Sequence, residues 1–312
     1  MKKLHFNPIL KKDLQMSSRS IKFTISLMCY SIALTLISAI MLICLTNLFN
    51  LFGSRGVSYD AFPGCFMALA FIQLAVICII VPILTAGTIA GERERQTLDI
   101  MLTTPIRPVS IVIGKLETAL YKILMFAIAS LPAMSICFIY GGISWWNLLI
   151  FLIQLMILAF FVGAVGVWCS CVFRKTIVAV IMTMVVEYAF LLGPFIIIGL
   201  VAFISAIVEL FVTSGVSADP QIGPVAFLVL LDPIFGAVDT IVASNTGYNL
   251  ASVMVMDEFG GSFAQLPWVE FFVNLWPLFS SLCTIGLGVF FVWAAARSID
   301  SIRRKGTKRR KR

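Results

Sequence analysis

GERERQTLDIMLTTPIRPVSIVIGK, residues 91–115, lies between two long hydrophobic runs, Phe66–Ala90 and Leu116–Tyr140. Each run is long enough to cross a bilayer core, which is about 30 Å thick and takes about 20 apolar residues. The segment between them therefore begins and ends at a membrane surface. Because its charged and apolar residues are regularly ordered, we interpret it as a point at which a component outside the membrane acts on the membrane part, rather than as a linker.

The composition of the chain is that of an integral membrane protein. Its 312 residues are 60% hydrophobic and 12% charged, whereas a soluble domain is about half apolar and about a quarter charged. Six runs are long enough to be transmembrane helices, so we predict an all-α polytopic fold. They cover residues 25–48, 66–90, 116–140, 148–172, 176–212 and 269–296.

The basic residues predict how these six spans are oriented. When the runs are threaded in order, all 23 Lys and Arg residues except Arg55 fall on one side of the membrane. The positive-inside rule assigns that side to the cytoplasm. We therefore expect a multi-pass protein with both termini in the cytoplasm. The residues expected in the outer aromatic belt are Trp145, Trp146, Tyr248 and Trp268.

Two segments leave an alternative to six spans open. The run 176–212 is longer than one crossing needs and could break at Gly193–Pro194. Residues 224–243 are also apolar, but one extra crossing would move the basic C-terminus to the outside. Asp232–Pro233 interrupts this stretch, which favours two short re-entrant or interfacial helices in an extracellular segment, residues 213–268. An eight-span arrangement, with the fifth run as a hairpin, needs a cytoplasmic loop without basic residues, so we prefer six.

The two ends of the chain predict further surface elements. Within residues 1–24, Leu10, Leu14 and Ile21 recur at helical spacing, which predicts an amphipathic helix in the membrane interface. Residues 297–312 form a basic cytoplasmic tail. We expect the tail to contact lipid or a protein partner rather than nucleic acid, because it is tethered to the membrane and lacks interleaved aromatic residues.

The charged segment itself predicts a short, stiff helix on the membrane surface. The spacings Glu92–Arg95 and Arg95–Asp99 place opposite charges three and four residues apart, which supports a helix. Thr104–Pro105 ends this helix, because the residue before proline avoids the α region, and Arg107–Pro108 begins the next one. The apolar positions that share one face are Leu98, Met101 and Leu102. An ordinary interfacial helix is the simpler alternative.

GERERQTLDIMLTTPIRPVSIVIGKL resembles the signature loop of the permease subunits of type-two ATP-binding cassette (ABC) transporters, mostly bacterial exporters. That pattern is roughly G-E-x-E-x-G-T-L-E-x-L-L-x-T-P, followed by an apolar stretch and G-K. The N-terminal NPILKKDL resembles the opening N-P-x-x-x-K-E-L of the same family. Gln96 replaces a common Gly and Asp99 a common Glu. Because Gln in a helix interior is more stable than Gly by up to ~1 kcal/mol, we expect Gln96 to stiffen the helix.

The resemblance implies that residues 91–115 form a coupling loop, whose helix binds a cleft of a cytoplasmic ABC ATPase. In that comparison Glu92 to Arg95 make the charged contacts. The full set of ATPase-coupling residues is Gly91, Glu92, Arg93, Glu94, Arg95, Thr97, Leu98, Asp99, Met101, Leu102, Thr104 and Pro105. It also implies a second permease, identical or homologous, and a place in the bacterial cell membrane.

The ATPase itself is expected in a separate polypeptide. A phosphate-binding loop needs G-x-x-x-x-G-K-[ST], and the one Gly-Lys pair, Gly114–Lys115, is followed by Leu116. We therefore expect no enzymatic activity, no bound cofactor and no metal in this chain, with ATP bound by the partner. Cys169 and Cys171 make a poor metal site without a nearby histidine.

Glu187 is the one carboxylate deep within a predicted span. A charge at mid-membrane costs about 2.5–3.5 kcal/mol on insertion scales and usually marks a functional residue. We interpret Glu187 as a candidate residue of the transport pathway, with a protonated or hydrogen-bonded packing residue as the alternative. Acidic residues of the extracellular segment, including Asp232 and Asp239, suggest either an outer cap or the lining of an exit gate.

Other classes of function fit the sequence less well. An intramembrane serine protease or zinc enzyme needs a histidine, and His5 lies outside the predicted spans. A secondary transporter usually has several membrane-embedded ionisable residues and repeated halves. A non-transporting signalling or channel-like subunit regulated by an ABC ATPase stays open as the alternative to an exporter permease. For an exporter, the nearly uncharged spans favour a hydrophobic or amphipathic substrate.

Overall fold

The long apolar runs fold into helices, which satisfy their own backbone hydrogen bonds and so suit a lipid environment. A computed structural model describes residues 21–51, 61–96, 108–141, 144–212, 225, 227–254 and 267–310. Within these ranges the regular structure is entirely helical. The prediction of an all-α polytopic membrane protein is confirmed.

Long helices fill most of the described chain. The first five are α1 (Ile21–Leu51), α2 (Ala61–Glu94), α3 (Pro108–Gly141), α4 (Trp145–Val172) and α5 (Thr176–Val212). They are followed by a 3₁₀ helix (Phe227–Leu231), α6 (Pro233–Thr246), α7 (Leu250–Ser252), α8 (Pro267–Asn274) and α9 (Trp276–Arg310). Each of the first five predicted spans therefore lies within one helix.

Five helices in the described ranges are long and apolar enough to cross a membrane. The qualifying segments are Phe23–Cys44, Pro63–Glu94, Trp145–Val172, Thr176–Ser205 and Trp276–Ile299. The predicted third span, residues 116–140, lies in α3, a helix of 34 residues that is not among the five. The chain is a multi-pass membrane protein, and the count of six crossings stays a prediction.

Two predicted spans differ in detail from the structure. α5 is a single helix of 37 residues with Pro194 inside it, so the fifth run is not a hairpin. The sixth run, residues 269–296, is instead divided at Leu275 into α8 and α9. The physical reason is Pro277, which has no backbone N–H and cannot continue the hydrogen-bond ladder of α8.

α4 forms the centre of the bundle and packs against α2, α3, α5, α6 and α9. In its most apolar window 56% of the residues are buried, against 11% in α1 and in α5. The main core includes Phe66 of α2 and Phe151 of α4, whose rings meet edge to face at a centroid distance of 6.0 Å. α1 and α5 thus lie at the periphery and present apolar side chains outward.

The apolar stretch around residue 232 does break into two short helices, as its Asp-Pro pair predicts. The Asp232 Oδ1 accepts hydrogen bonds from the amides of Ile234 at 2.9 Å and Phe235 at 3.1 Å, which caps α6. α6 packs against α2, α4 and α9, and Asp232 and Asp239 are fully buried. This part of the segment is therefore packed against the helix bundle.

One end of the bundle gathers the boundaries of several helices. Here α2 and α4 end, α3 and α5 begin, and α9 passes through. The buried cluster at this end contains Ile89, Val112, Leu116, Val167, Cys171, Ala295, Ala296 and Ile299. We call it the charged end, because Glu92–Arg95 lie there. The predicted amphipathic helix falls mostly on residues 1–20, outside the described residues, and the basic tail begins within α9.

Candidate functional site

The predicted coupling loop begins as the last turn of α2. Gly91–Glu94 are helical, and Arg95 and Gln96 form a turn. The next described element is α3, which begins at Pro108 as the sequence predicts. Seven of the predicted coupling residues lie outside the described residues: Thr97, Leu98, Asp99, Met101, Leu102, Thr104 and Pro105.

Gln96 has a left-handed backbone, with φ at 58°. Its amide donates a hydrogen bond to the Arg93 carbonyl at 3.1 Å, and the Arg95 amide donates to the Gly91 carbonyl at 3.1 Å. These bonds close the last turn of α2, so Gln96 ends this helix. The expectation that Gln96 stiffens a helix interior is wrong. Glycine adopts left-handed φ values without steric cost, which explains why Gly suits this position in the signature pattern.

Glu92 ties α2 to α3. Its Oε1 lies 2.8 Å from the Lys115 Nζ, and the two side chains are 25% and 13% exposed, respectively. The sequence analysis paired Glu92 with Arg95 because the two residues are three apart on one helix. In the structure Glu92 binds a lysine 23 positions along the chain, and Arg95 is exposed.

Arg93 binds the end of α4. Its guanidinium donates to the carbonyl oxygens of Cys171 at 3.0 Å and Phe173 at 3.2 Å. The last carbonyls of a helix have no partner within the helix and carry partial negative charge. A cation placed there satisfies these acceptors and interacts favourably with the helix dipole.

Glu94 binds the beginning of α5. Its Oε1 accepts a hydrogen bond from the Thr176 amide at 2.9 Å, and its Oε2 accepts one from the Thr176 hydroxyl at 2.8 Å. The first amides of a helix lack partners within the helix and carry partial positive charge. Glu94 therefore acts as an N-terminal cap supplied by another helix.

A further contact fixes α2 on α4 just before these charges. The Ser170 hydroxyl of α4 accepts hydrogen bonds from the α2 amides of Ile89 at 2.9 Å and Ala90 at 2.8 Å. One turn later along α2, Arg93 meets the end of the same helix. The last two turns of α2 are thus held by hydrogen bonds to α4 as well as by packing.

Ser170 and Thr176 were missed by sequence reasoning. Thr176 has one local signal, because it is the first residue after the basic pair Arg174–Lys175 and precedes a long apolar run, as helix-capping residues often do. Ser170 has no local signal, since a serine inside an apolar run is most simply interpreted as a packing residue. Their partners are about 80 residues away in the chain.

Glu187 lies on α5, far from the charged end. It is 11 residues beyond Thr176, which corresponds to roughly 17 Å along a helix. The side chain is 1% exposed, and neither carboxylate oxygen has a hydrogen-bond partner among the described residues. Cys78 of α2 lies in its vicinity. The structure therefore places Glu187 inside the bundle and away from Gly91–Arg95, the described part of the predicted coupling residues.

Other buried polar groups were not recognised in the sequence. Asp239 uses its Oδ1 to accept a hydrogen bond from the Ala251 amide at 3.1 Å, while its Oδ2 has no partner in the described part of the chain. Ser280 of α9 and Gln154 of α4 are buried, and each has a polar atom without a partner there. Sequence reasoning placed Asp239 in the extracellular segment, because a single extra crossing by the apolar residues 224–243 would move the basic C-terminus to the outside.

The site lies within a region that resembles a known family. The family described as ABC-2 family transporter protein matches residues 7–209 of the chain. The match covers α1 to α4 and nearly all of α5, and so includes Gly91–Arg95, Thr176 and Glu187. No curated protein matches the chain.

Proposed function

The chain belongs to the ABC-2 family of transporter proteins, and we propose that it couples ATP hydrolysis by a separate cytoplasmic ATPase to the export of a substrate. The main support for this proposal is the way in which α2 ends at the charged end. α2 continues from the membrane core to Glu94 and then turns at the exposed residues Arg95 and Gln96. A partner that binds beyond this turn acts directly on a helix of the bundle.

The contacts at the charged end divide the coupling residues into two groups. Glu92, Arg93 and Glu94 bind α3, α4 and α5. Arg95 is exposed, and residues 97–105 follow it in the chain. We assign the ATPase contact to Arg95 together with Leu98, Met101 and Leu102. Gly91–Glu94 then connect that contact to the membrane helices.

Binding of the ATPase tests this assignment. The double variant Arg95→Glu with Leu98→Asp reverses a charge and places a carboxylate on the predicted apolar face, so the ATPase should no longer co-purify. Arg174→Glu is the matched control, because Arg174 is an exposed basic residue at the same end of the bundle. The assignment fails if the double variant retains the ATPase as the control does.

The complete transporter requires partners that the family suggests. We propose two permeases, identical or homologous, with two ATPases below them, in the bacterial cell membrane with both termini in the cytoplasm. The orientation is supported by the exposed aromatic side chains of Trp145, Trp146 and Tyr248, which suit an outer belt. ATP-dependent movement of the two halves would open the pathway alternately to the two sides.

We place Glu187 on the transport pathway. Glu187 has no hydrogen-bond partner among the described residues, and a carboxyl group inside a membrane bundle is costly. It is therefore suited to hydrogen-bond a polar group of the substrate when the pathway opens. Glu187→Gln should lower transport, whereas Glu270→Gln, which changes an exposed glutamate of α8, should not. If Glu187→Gln transports every tested substrate at the wild-type rate, Glu187 has only a packing role.

The nearly uncharged spans support a hydrophobic or amphipathic substrate. Inverted vesicles that contain the chain and its ATPase should accumulate such compounds when ATP is added. Accumulation of a polyanion instead would contradict the substrate class. Binding of the ATPase without movement of any compound would favour a regulated subunit that transports nothing itself.

A further inference from the structure

The last turn of α2 holds the short connection between α4 and α5 at both of its ends. α4 ends at Val172 and α5 begins at Thr176, so three residues connect them. Arg93 binds the carbonyl of Phe173, the first of the three, and Glu94 binds Thr176, which follows the last. Two neighbouring side chains thus span the whole connection.

The charges of the two residues match the helix ends that they bind. The positive Arg93 faces the C-terminal end of α4, where the helix dipole is negative, and the negative Glu94 faces the N-terminal end of α5, where it is positive. Each forms two hydrogen bonds, at 3.0 and 3.2 Å for Arg93 and at 2.9 and 2.8 Å for Glu94. Exchanging the two charges would bring like charges together at both ends.

Close packing behind Glu94 keeps Thr176 in place. A Cβ added to Gly87 would lie 3.2 Å from the Thr176 Cγ2, and one added to Gly91 would lie 3.7 Å from its Oγ1. Ala86, Ala90 and Ala179 form a small buried cluster beside this contact. Small residues let the backbones of membrane helices approach closely. The first turn of α5 therefore rests directly on the last two turns of α2.

We propose that Arg93 and Glu94 are positioning residues that pass the movement of the coupling loop to α5. We call the contacts of Arg93 with Cys171 and Phe173, and of Glu94 with Thr176, the helix-end clamp. A displacement at Arg95 then moves the start of α5 together with the end of α2. Since α5 carries Glu187, the clamp connects ATPase motion to the interior of the bundle. This inference rests on the proposed function.

The test measures coupling in proteoliposomes that contain the full chain and its ATPase. Glu94→Ala removes both acceptors of the clamp, so the amount of substrate moved per ATP hydrolysed should fall about ten-fold. Arg174→Ala is the matched control, because Arg174 is exposed and lies in the same three-residue connection. Arg174→Ala should move as much substrate per ATP hydrolysed as the wild type. A wild-type ratio in Glu94→Ala overturns the proposal.

Two further measurements separate coupling from a loss of folding. Thr176→Val removes the hydroxyl donor alone, and in a Glu94→Ala background it should lower the ratio no further, because both changes act on one contact. Independent, multiplying effects would overturn the clamp. Should Glu94→Ala fail to fold, Glu94→Gln, which keeps an acceptor oxygen, gives the same comparison with a smaller fall.

The outcomes also distinguish this inference from the proposed function. If the wild-type chain neither binds the ATPase nor moves substrate, the proposed function fails and the inference fails with it. If the wild type binds the ATPase and transports, and Glu94→Ala retains both the ATPase and the wild-type ratio, only the clamp is excluded. In a third case, Glu94→Ala lowers ATPase binding by the same factor as transport. That result would assign Glu94 to the ATPase contact and overturn the positioning role.

Discussion

Thr85 of α2 lies directly over Gly166 of α4, so closely that a Cβ added at residue 166 would overlap the Thr85 Oγ1 and lie 2.9 Å from its Cβ. One turn later along α2, the Ile89 amide donates to the Ser170 hydroxyl at 2.9 Å. The next turn brings Arg93 to the end of α4. One face of α2 is thus in continuous contact with α4 from the bundle core to the charged end.

This contact predicts that Gly166→Ala destabilises the protein. The added methyl group must displace Thr85 or separate the two helices, and overpacking of this kind costs about 1–3 kcal/mol. Thr85→Ala in the same chain should recover part of the loss. The measurement is the midpoint of thermal unfolding in detergent. Gly193→Ala is the control, since nothing lies within 4 Å of an added Cβ there; an equal loss in the control would contradict the prediction.

The left-handed turn after α2 predicts that Gln96→Gly stabilises the turn. At a φ of 58° the Cβ atom of Gln96 lies too close to the backbone. Glycine removes this steric strain but loses more conformational entropy on folding. We expect a net gain of up to about 1 kcal/mol in the free energy of unfolding. Arg95→Gly, one residue earlier, should give no gain, because Arg95 does not have a positive φ. A loss of stability in Gln96→Gly would show that its side chain is needed.

The end of α4 predicts different effects for two substitutions of Arg93. Arg93→Ala leaves two carbonyl oxygens of the last turn without their donor and should cost about 1.5–3 kcal/mol. Arg93→Lys keeps the charge but not the planar pair of donors, so it should cost less. Unfolding midpoints of the two variants in detergent give the comparison. Equal midpoints for Arg93→Ala and the wild type would contradict the assigned bonds.

The orientation of the bundle predicts which sites a membrane-impermeant maleimide can reach in intact cells. In a variant without the native cysteines, Tyr248→Cys should react from outside, because Tyr248 is exposed and precedes the last long helix. Arg174→Cys should react only after the membrane is opened. The reverse pattern would place the coupling loop outside the cell and remove it from any cytoplasmic ATPase.

The sequence predicted the helices far better than the contacts between them. Runs such as 148–172 contain few polar and no charged residues, and in lipid such a run is stable as a helix. Asp232–Pro233 was recognised because a capping residue followed by proline is a local signal. The burial of α6 was not predicted, because it involves the close contact of Gly236 with Ser280 of α9, 44 residues later in the chain.

The charged residues show why the site was predicted only in part. Sequence spacing paired Glu92 with Arg95, because spacing can identify contacts only between residues of the same helix. The structure instead joins Glu94 to Thr176, 82 positions away, and that pairing depends on how α2 and α5 cross. Gln96 was assigned to a helix interior because no proline or glycine directly follows Glu94 to mark the end of α2.

The most direct test of the account is ATP-dependent transport in proteoliposomes that contain the chain and its ATPase. The wild type should move substrate only when ATP is hydrolysed, and Arg95→Glu with Leu98→Asp should abolish that movement while the permease still inserts. Transport by this double variant at the wild-type rate would contradict the claim that the coupling loop carries ATPase motion into the membrane.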